Sequence, residues 1–126
     1  MFKFFRNFFL IFILTSSSAF AIGEAFDQAR FDQLIKEGKP ILVAVHADWC
    51  TTCRAQDMFL KDLLKTPPYN NFRVLRIDFD NQKEAMHAFK VQMRSTLIVF
   101  KNGKEVGRST ADTDKDSVAT MLRKAL

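Results

Sequence analysis

The two cysteines of this chain lie in the stretch His46-Ala47-Asp48-Trp49-Cys50-Thr51-Thr52-Cys53-Arg54. A C-x-x-C pair admits three chemistries: a redox couple that opens and closes as a disulfide, a pair of metal ligands, or an inert structural bridge. A bridge is a poor use of this spacing, because closing so short a loop removes little chain entropy from the unfolded state. A metal site would recruit His46, since His-x-x-x-Cys-x-x-Cys offers three ligands to zinc or copper. With one C-x-x-C alone, no fourth ligand stands out. A redox couple needs one thiol activated to thiolate and a second thiol within reach of it.

The elements around the pair bear on that choice. Ile41-Leu42-Val43-Ala44-Val45 is a continuous apolar run with β-branched residues, the pattern of a strand buried on both faces. Arg54 to Leu64 carries Met58, Phe59, Leu63 and Leu64 at helical spacing, and Pro67-Pro68 ends it. The cysteines therefore sit between a strand and a helix. Cys50 at the helix start would face unpaired backbone N–H groups and the positive end of the helix dipole, both of which favour thiolate. Cys53, about one turn on and more shielded, is placed to close a disulfide with it.

The rest of the chain extends the same alternation. A helix is expected over Ala25 to Glu37, with Gly38 and Pro40 as its stop. Phe72 to Phe79 reads as a second strand, and Asp80 or Asn81 can cap a helix reaching about Phe89, with Ala85, Met86 and Phe89 facing inward. Thr96-Leu97-Ile98-Val99-Phe100 is a third strand, Asn102-Gly103 is a hairpin turn, and Glu105 to Ser109 is the returning strand. Thr113 and Asp116 form a capping box for a last helix with Val118, Met121, Leu122 and Ala125 on one face. The order α-β-α-β-α-β-β-α implies an α/β fold. Strands separated by helices are expected to pair in parallel, with the closing hairpin adding an antiparallel edge. The cysteines would then stand at the carboxyl end of a central strand, where open α/β sheets place their chemistry.

The front of the chain reads differently. Lys3 and Arg6 precede an unbroken apolar run from Phe8 to Leu14, followed by small residues ending in Ala19-Phe20-Ala21. That is the layout of a secretory signal peptide, with cleavage expected between Ala21 and Ile22. The run is too short to cross a bilayer, which takes about 20 apolar residues. Cleavage of the 126-residue chain would leave 105 residues, Ile22 to Leu126, as one domain and lower the formal charge from +5 to +3. The remaining charges are scattered with no basic block, so no nucleic-acid partner is expected. Export would place the cysteines where disulfides form and persist.

Three stretches together carry a resemblance: Ile41-Leu42-Val43, Ala47-Asp48-Trp49-Cys50-Thr51-Thr52-Cys53-Arg54, and Thr96-Leu97-Ile98-Val99-Phe100-Lys101-Asn102-Gly103-Lys104. The chain resembles the thioredoxin family over roughly Phe26 to Leu126. The resemblance implies a thioredoxin-like three-layer fold, with a central mixed sheet of about four strands flanked by about four helices. It further implies a thiol–disulfide oxidoreductase without a cofactor, with Cys50 attacking a substrate disulfide and Cys53 resolving the mixed disulfide. Trp49, Arg94, Ser95 and Thr96 would receive the substrate. Reduction is the favoured direction, because 105 residues leave no room for the helical insertion of the oxidising branch. A periplasmic reductase acting on protein thiols and disulfides would draw electrons through a membrane partner, and the domain is expected to be a monomer. The runner-up is a non-catalytic metal- or partner-binding module built on His46 and the C-x-x-C.

Three features depart from the family pattern. Ser95 stands where thioredoxins place a cis-proline, and the Arg94–Ser95 bond is expected to be trans, because a cis bond before a non-proline residue costs about 2.5–4 kcal/mol. Ala44 replaces a buried aspartate of the strand, leaving Asp48, His46 or water to relay the proton of the resolving cysteine. Thr51-Thr52 replaces Gly-Pro between the cysteines, and so the motif carries no reading of the redox poise.

Overall fold

A computed structural model describes residues 22–126. The leader to which the export signal is assigned, residues 1–21, lies outside the described residues. The elements are β1 (Glu24–Ala25), α1 (Gln28–Lys36), β2 (Ile41–His46), α2 (Thr51–Leu63), β3 (Arg73–Asp78), α3 (Lys83–Ala88), β4 (Thr96–Lys101), β5 (Lys104–Thr110) and α4 (Lys115–Arg123), with a short 3₁₀ turn at Tyr69–Asn71.

The strands form one mixed sheet in the order β1-β3-β2-β4-β5. All six residues of β2 are buried, as its apolar run implies, and it is the middle strand. It pairs in parallel with β3, from Ile41↔Arg73 to His46↔Asp78. β4, expected parallel because a helix precedes it, instead runs antiparallel to β2, with Ile41 opposite Phe100 and Ala44 opposite Leu97. α3 spans only six residues, and the chain returns from it to the end of β2 where the cysteine loop starts. The chain therefore enters β4 beside the end of β2, where the Ser95 N–H donates to the Val45 carbonyl at 2.9 Å. β1 is an addition to the four expected strands. Its two residues are exposed and carry no alternation, and only its pairing with Leu75 and Arg76 defines it.

Helices cover both faces. On one, Leu60 and Leu63 of α2 and Val118, Ala119, Met121 and Leu122 of α4 pack on Leu42, Ala44, Leu97 and Val99. On the other, Phe31 and Leu34 of α1 and Met86 of α3 pack on Val43, Val45, Leu75, Ile77 and Ile98. Each fully buried Leu or Ile contributes about 1.5–3 kcal/mol of transfer free energy. Phe26, Phe31, Phe89 and Phe100 cluster within the second layer, with Phe26–Phe31 tilted at 6.1 Å and the other pairs edge-on at 5.2–5.6 Å between centroids.

The Asn102-Gly103 turn has φ of 50° and 77°, the paired positive values of the tight turn its sequence announces. Further along β5, Gly107 is the register partner of Val99 beside a bulge, and a Cβ there would sit 2.7 Å from the Met121 Cγ. Two caps differ from expectation. Asp114, not Thr113, caps α4, its carboxylate accepting the N–H groups of Asp116 and Ser117 at 2.9 and 3.1 Å; a carboxylate is the better acceptor at a helix N-terminus. The α3 N-cap is Gln82, without a side-chain cap bond, because its amide oxygen accepts the Asp78 N–H and its amide nitrogen donates to the Phe26 carbonyl, both at 2.9 Å. Met58, expected inward, is exposed, and Cys53, Gln56, Leu60 and Leu63 form the buried stripe of α2.

Candidate active site

α2 begins directly after the cysteine loop, and Cys50 is its N-cap residue, with extended backbone (φ −86°, ψ 109°). The Cys50 Sγ accepts the Cys53 N–H at 3.1 Å, in the position a serine or aspartate oxygen takes at other helix starts. A negative charge on this sulfur would meet a backbone donor and the positive end of the helix dipole together. Cys50 and Cys53 are joined as a disulfide, with Cα atoms 5.3 Å apart. Cys50 was expected to be the open member of the pair, yet both residues are only 2% exposed. Ala47, Phe79 and the β4 entry loop close around the sulfurs.

Ser95 forms the floor of the site. Its Oγ lies 3.1 Å from the Cys50 Sγ and 3.2 Å from the Cys53 Sγ. The residue is 2% exposed and has φ of 60°, and the Arg94–Ser95 bond is trans. Its backbone is held three ways: the N–H donates to Val45, and the carbonyl accepts the Ala111 N–H at 3.0 Å and the Gln56 side-chain amide at 3.1 Å. The Gln56 amide also donates to the Asp112 carbonyl at 3.0 Å. Gln56 is a site residue that apolar periodicity passes over, although its position three after Cys53 places it on the same helix face.

Trp49 is half-exposed beside the pair, and its indole N–H donates to Asp80 at 2.8 Å while the ring meets Phe79 edge-on. The Arg94 guanidinium stacks over the Trp49 ring, 4.6 Å from its centroid, so this cation is tied to the rim of the site. Thr96 lies apart from this rim. It is buried, its hydroxyl donates to the Met93 carbonyl at 2.8 Å and contacts the Thr110 hydroxyl, and its side chain is engaged inside the sheet.

His46 does not join the sulfurs in a ligand set. Its Nε2 pairs with Asp48 at 3.1 Å and its Nδ1 faces the Asp57 carboxylate at 3.6 Å. Among the described residues, no group of three or more His, Cys, Asp and Glu side chains is arranged to hold a metal ion. Asp57, which the sequence reading passes over, has a side chain only 13% exposed, and its Oδ2 is buried without a hydrogen-bond partner. Burial pushes its carboxyl up to about 6, against the pull of His46 and Arg76. Asp78 goes the other way: the Asn81 amide, helped by the N–H groups of Asp80 and Asn81 and by His46, holds its carboxyl below the usual range.

A dithiol pair closed across the first turn of a helix, at the carboxyl end of the central strand of an α/β sheet, defines a thiol–disulfide oxidoreductase. The thioredoxin family model matches residues 24–124. A thioredoxin of Chlamydia muridarum is 37% identical over 97 residues, covering 77% of this chain and 92% of its own length. One from Chlamydia trachomatis is 33% identical over the same shares. Among solved structures, Trxlp of Edwardsiella tarda superposes with a TM-score of 0.77 at 39% identity, over 80% of this chain and 98% of its own. The chain belongs to the thioredoxin family.

Proposed function

We propose that this protein is an exported reductase of protein disulfides acting in the cell envelope, in which Cys50 attacks and Cys53 resolves. The observation that carries the assignment of roles is the Cys50 sulfur at the α2 N-cap, accepting the Cys53 N–H. In the reduced protein the Cys50 thiolate attacks a substrate disulfide and expels one substrate thiolate. The Cys53 thiolate then attacks the Cys50 sulfur, closes the Cys50–Cys53 disulfide and expels the second. Two electrons pass from the pair to the substrate, which leaves as a dithiol. Trp49 and Arg94 form the rim over which substrate backbone approaches, and the Ser95 hydroxyl stabilises whichever sulfur is charged.

Lys3, Arg6, the Phe8 to Leu14 run and Ala19-Phe20-Ala21 support export with cleavage before Ile22. Outside the cytosol a reductase must be recharged, which calls for a membrane electron-transfer partner; the domain itself works as a monomer. A Cys53→Ser variant tests the roles and the compartment together. It is expected to accumulate mixed disulfides through Cys50 with envelope proteins, and the processed protein is expected to begin at Ile22. Absence of mixed disulfides, or retention of the leader on a cytosolic protein, would overturn the reading.

A further inference from the structure

Asp57 is an unusual residue to find where it is. A carboxylate oxygen buried without a hydrogen-bond partner, as the Asp57 Oδ2 is, is costly, so it persists in a fold only at the expense of stability. It lies on α2, four residues after Cys53, which puts their Cβ atoms about 5–6 Å apart on one helix face. That separation is within reach of proton transfer through one water. On the sheet side, β2 turns Leu42 and Ala44 toward α2 and offers no acid there; the next residue on that face is His46. The His46 Nδ1 faces Asp57, and its Nε2 pairs with Asp48, whose side chain is 99% exposed. His46 and Asp48 also border an open cleft of about 250 Å³ with Arg76, Asp78 and Gln82. A buried acid beside a thiol, backed by an imidazole that reaches solvent, is a proton path.

We propose that Asp57 is the acid–base group for Cys53, and that His46 and Asp48 connect it to water. As the mixed disulfide collapses, the Cys53 thiol gives its proton to the Asp57 carboxylate. The resulting thiolate attacks the Cys50 sulfur, the Cys50–Cys53 bond forms, and the substrate thiolate departs. The proton then passes to the His46 Nδ1, while the Nε2 proton leaves toward Asp48 and solvent. In the reverse direction Asp57 returns the proton to Cys53 as the disulfide opens. The charged groups around Asp57 are His46 on β2, Asp48 in the following loop, Arg76 and Asp78 on β3, and Arg54 and Lys61 one turn to either side on α2. The inference rests on the roles proposed for Cys50 and Cys53, and is independent of compartment and of redox direction.

A symmetric aromatic disulfide with coloured thiolate halves separates the two steps, because Cys50 releases the first half and Cys53 the second. With this probe in excess, Asp57→Asn is expected to leave the first phase within about twofold and slow the second about 100-fold at pH 7. The second phase of the unmodified protein should rise with pH through about 6, and the variant should lack that inflection. An unchanged second phase, or both phases slowed equally at every pH, overturns the proposal. Carbon-13 NMR of the Asp57 carboxyl decides the matter even where the variant fails to fold. Its titration is expected to shift between the oxidised and reduced unmodified protein, and identical curves would contradict coupling to Cys53. Release of no thiolate by the unmodified protein would contradict the exchange reading as well; release insensitive to Asp57 contradicts this inference alone.

Discussion

The Ser95 hydroxyl stands 3.1 Å from the Cys50 sulfur, inside the protein and within reach of Cys53 as well. It is the one side-chain hydroxyl hydrogen-bonded to both sulfurs among the described residues. A hydrogen bond to a charged acceptor is worth about 1.5–3 kcal/mol, enough to change a thiolate fraction at least tenfold. Ser95→Ala is therefore expected to slow alkylation of Cys50 in the reduced protein about tenfold at neutral pH. At high pH, where every thiol is ionised, the two proteins should react alike. Equal rates at neutral pH would show that the hydroxyl does not stabilise the thiolate.

The backbone of Ser95 makes a separate prediction. Its φ of 60° is a conformation proline cannot adopt, and its N–H is committed to Val45. Ser95→Pro is expected to cost about 3 kcal/mol or more, whereas Ser95→Gly, which accepts positive φ and keeps the N–H, should stay within about 1 kcal/mol. Urea unfolding of the two variants checks the order; a proline variant as stable as the parent would mean that the β4 entry loop rearranges freely.

Gln56 holds that loop from the other side, with one amide shared between the Ser95 and Asp112 carbonyls. Gln56→Leu fills the same buried volume but leaves the Asp112 carbonyl without that donor. A loss of about 1–3 kcal/mol is expected in thermal unfolding, the penalty for a buried acceptor without its partner. A variant as stable as the parent would indicate that the carbonyls find water instead.

Much of this arrangement was legible in the sequence, and the exceptions share a cause. The β-branched run before the cysteines, the Asn102-Gly103 turn and the apolar face of α4 are local patterns, and each appears where it was expected. The antiparallel direction of β4 was not legible, because it depends on where the Ser95 amide docks against β2. Nor was the two-residue β1, which exists only by pairing with β3. Among site residues, the cysteines and Trp49 announce themselves by type and spacing. Gln56 and Asp57 are polar residues in a helix, and such residues ordinarily face solvent. Gln56 is buried because the Ser95 and Asp112 carbonyls close over it, and Asp57 is screened because His46 of β2 faces it, while Met58 stays outside.

Asp57 also links pH to stability. Its carboxyl titrates at about 6 in the folded protein against 3.8 unfolded, so the native state holds the proton more tightly. Stability from this group is present in full below pH 3.8 and is lost as pH rises through about 6. The shift corresponds to at most about 3 kcal/mol. Asp57→Asn should flatten that slope and gain stability relative to the parent at pH 8. Urea unfolding between pH 4 and 8 measures it, and parallel curves would mean that the carboxylate is solvated in solution.

The reduction potential of the Cys50–Cys53 pair, measured in thiol buffers with metals chelated, tests the central claim most directly. A value near −270 mV, the range of thioredoxins, is predicted and makes the protein a donor of electrons to protein disulfides. A value near −120 mV would make it a donor of disulfides and contradict the proposed direction.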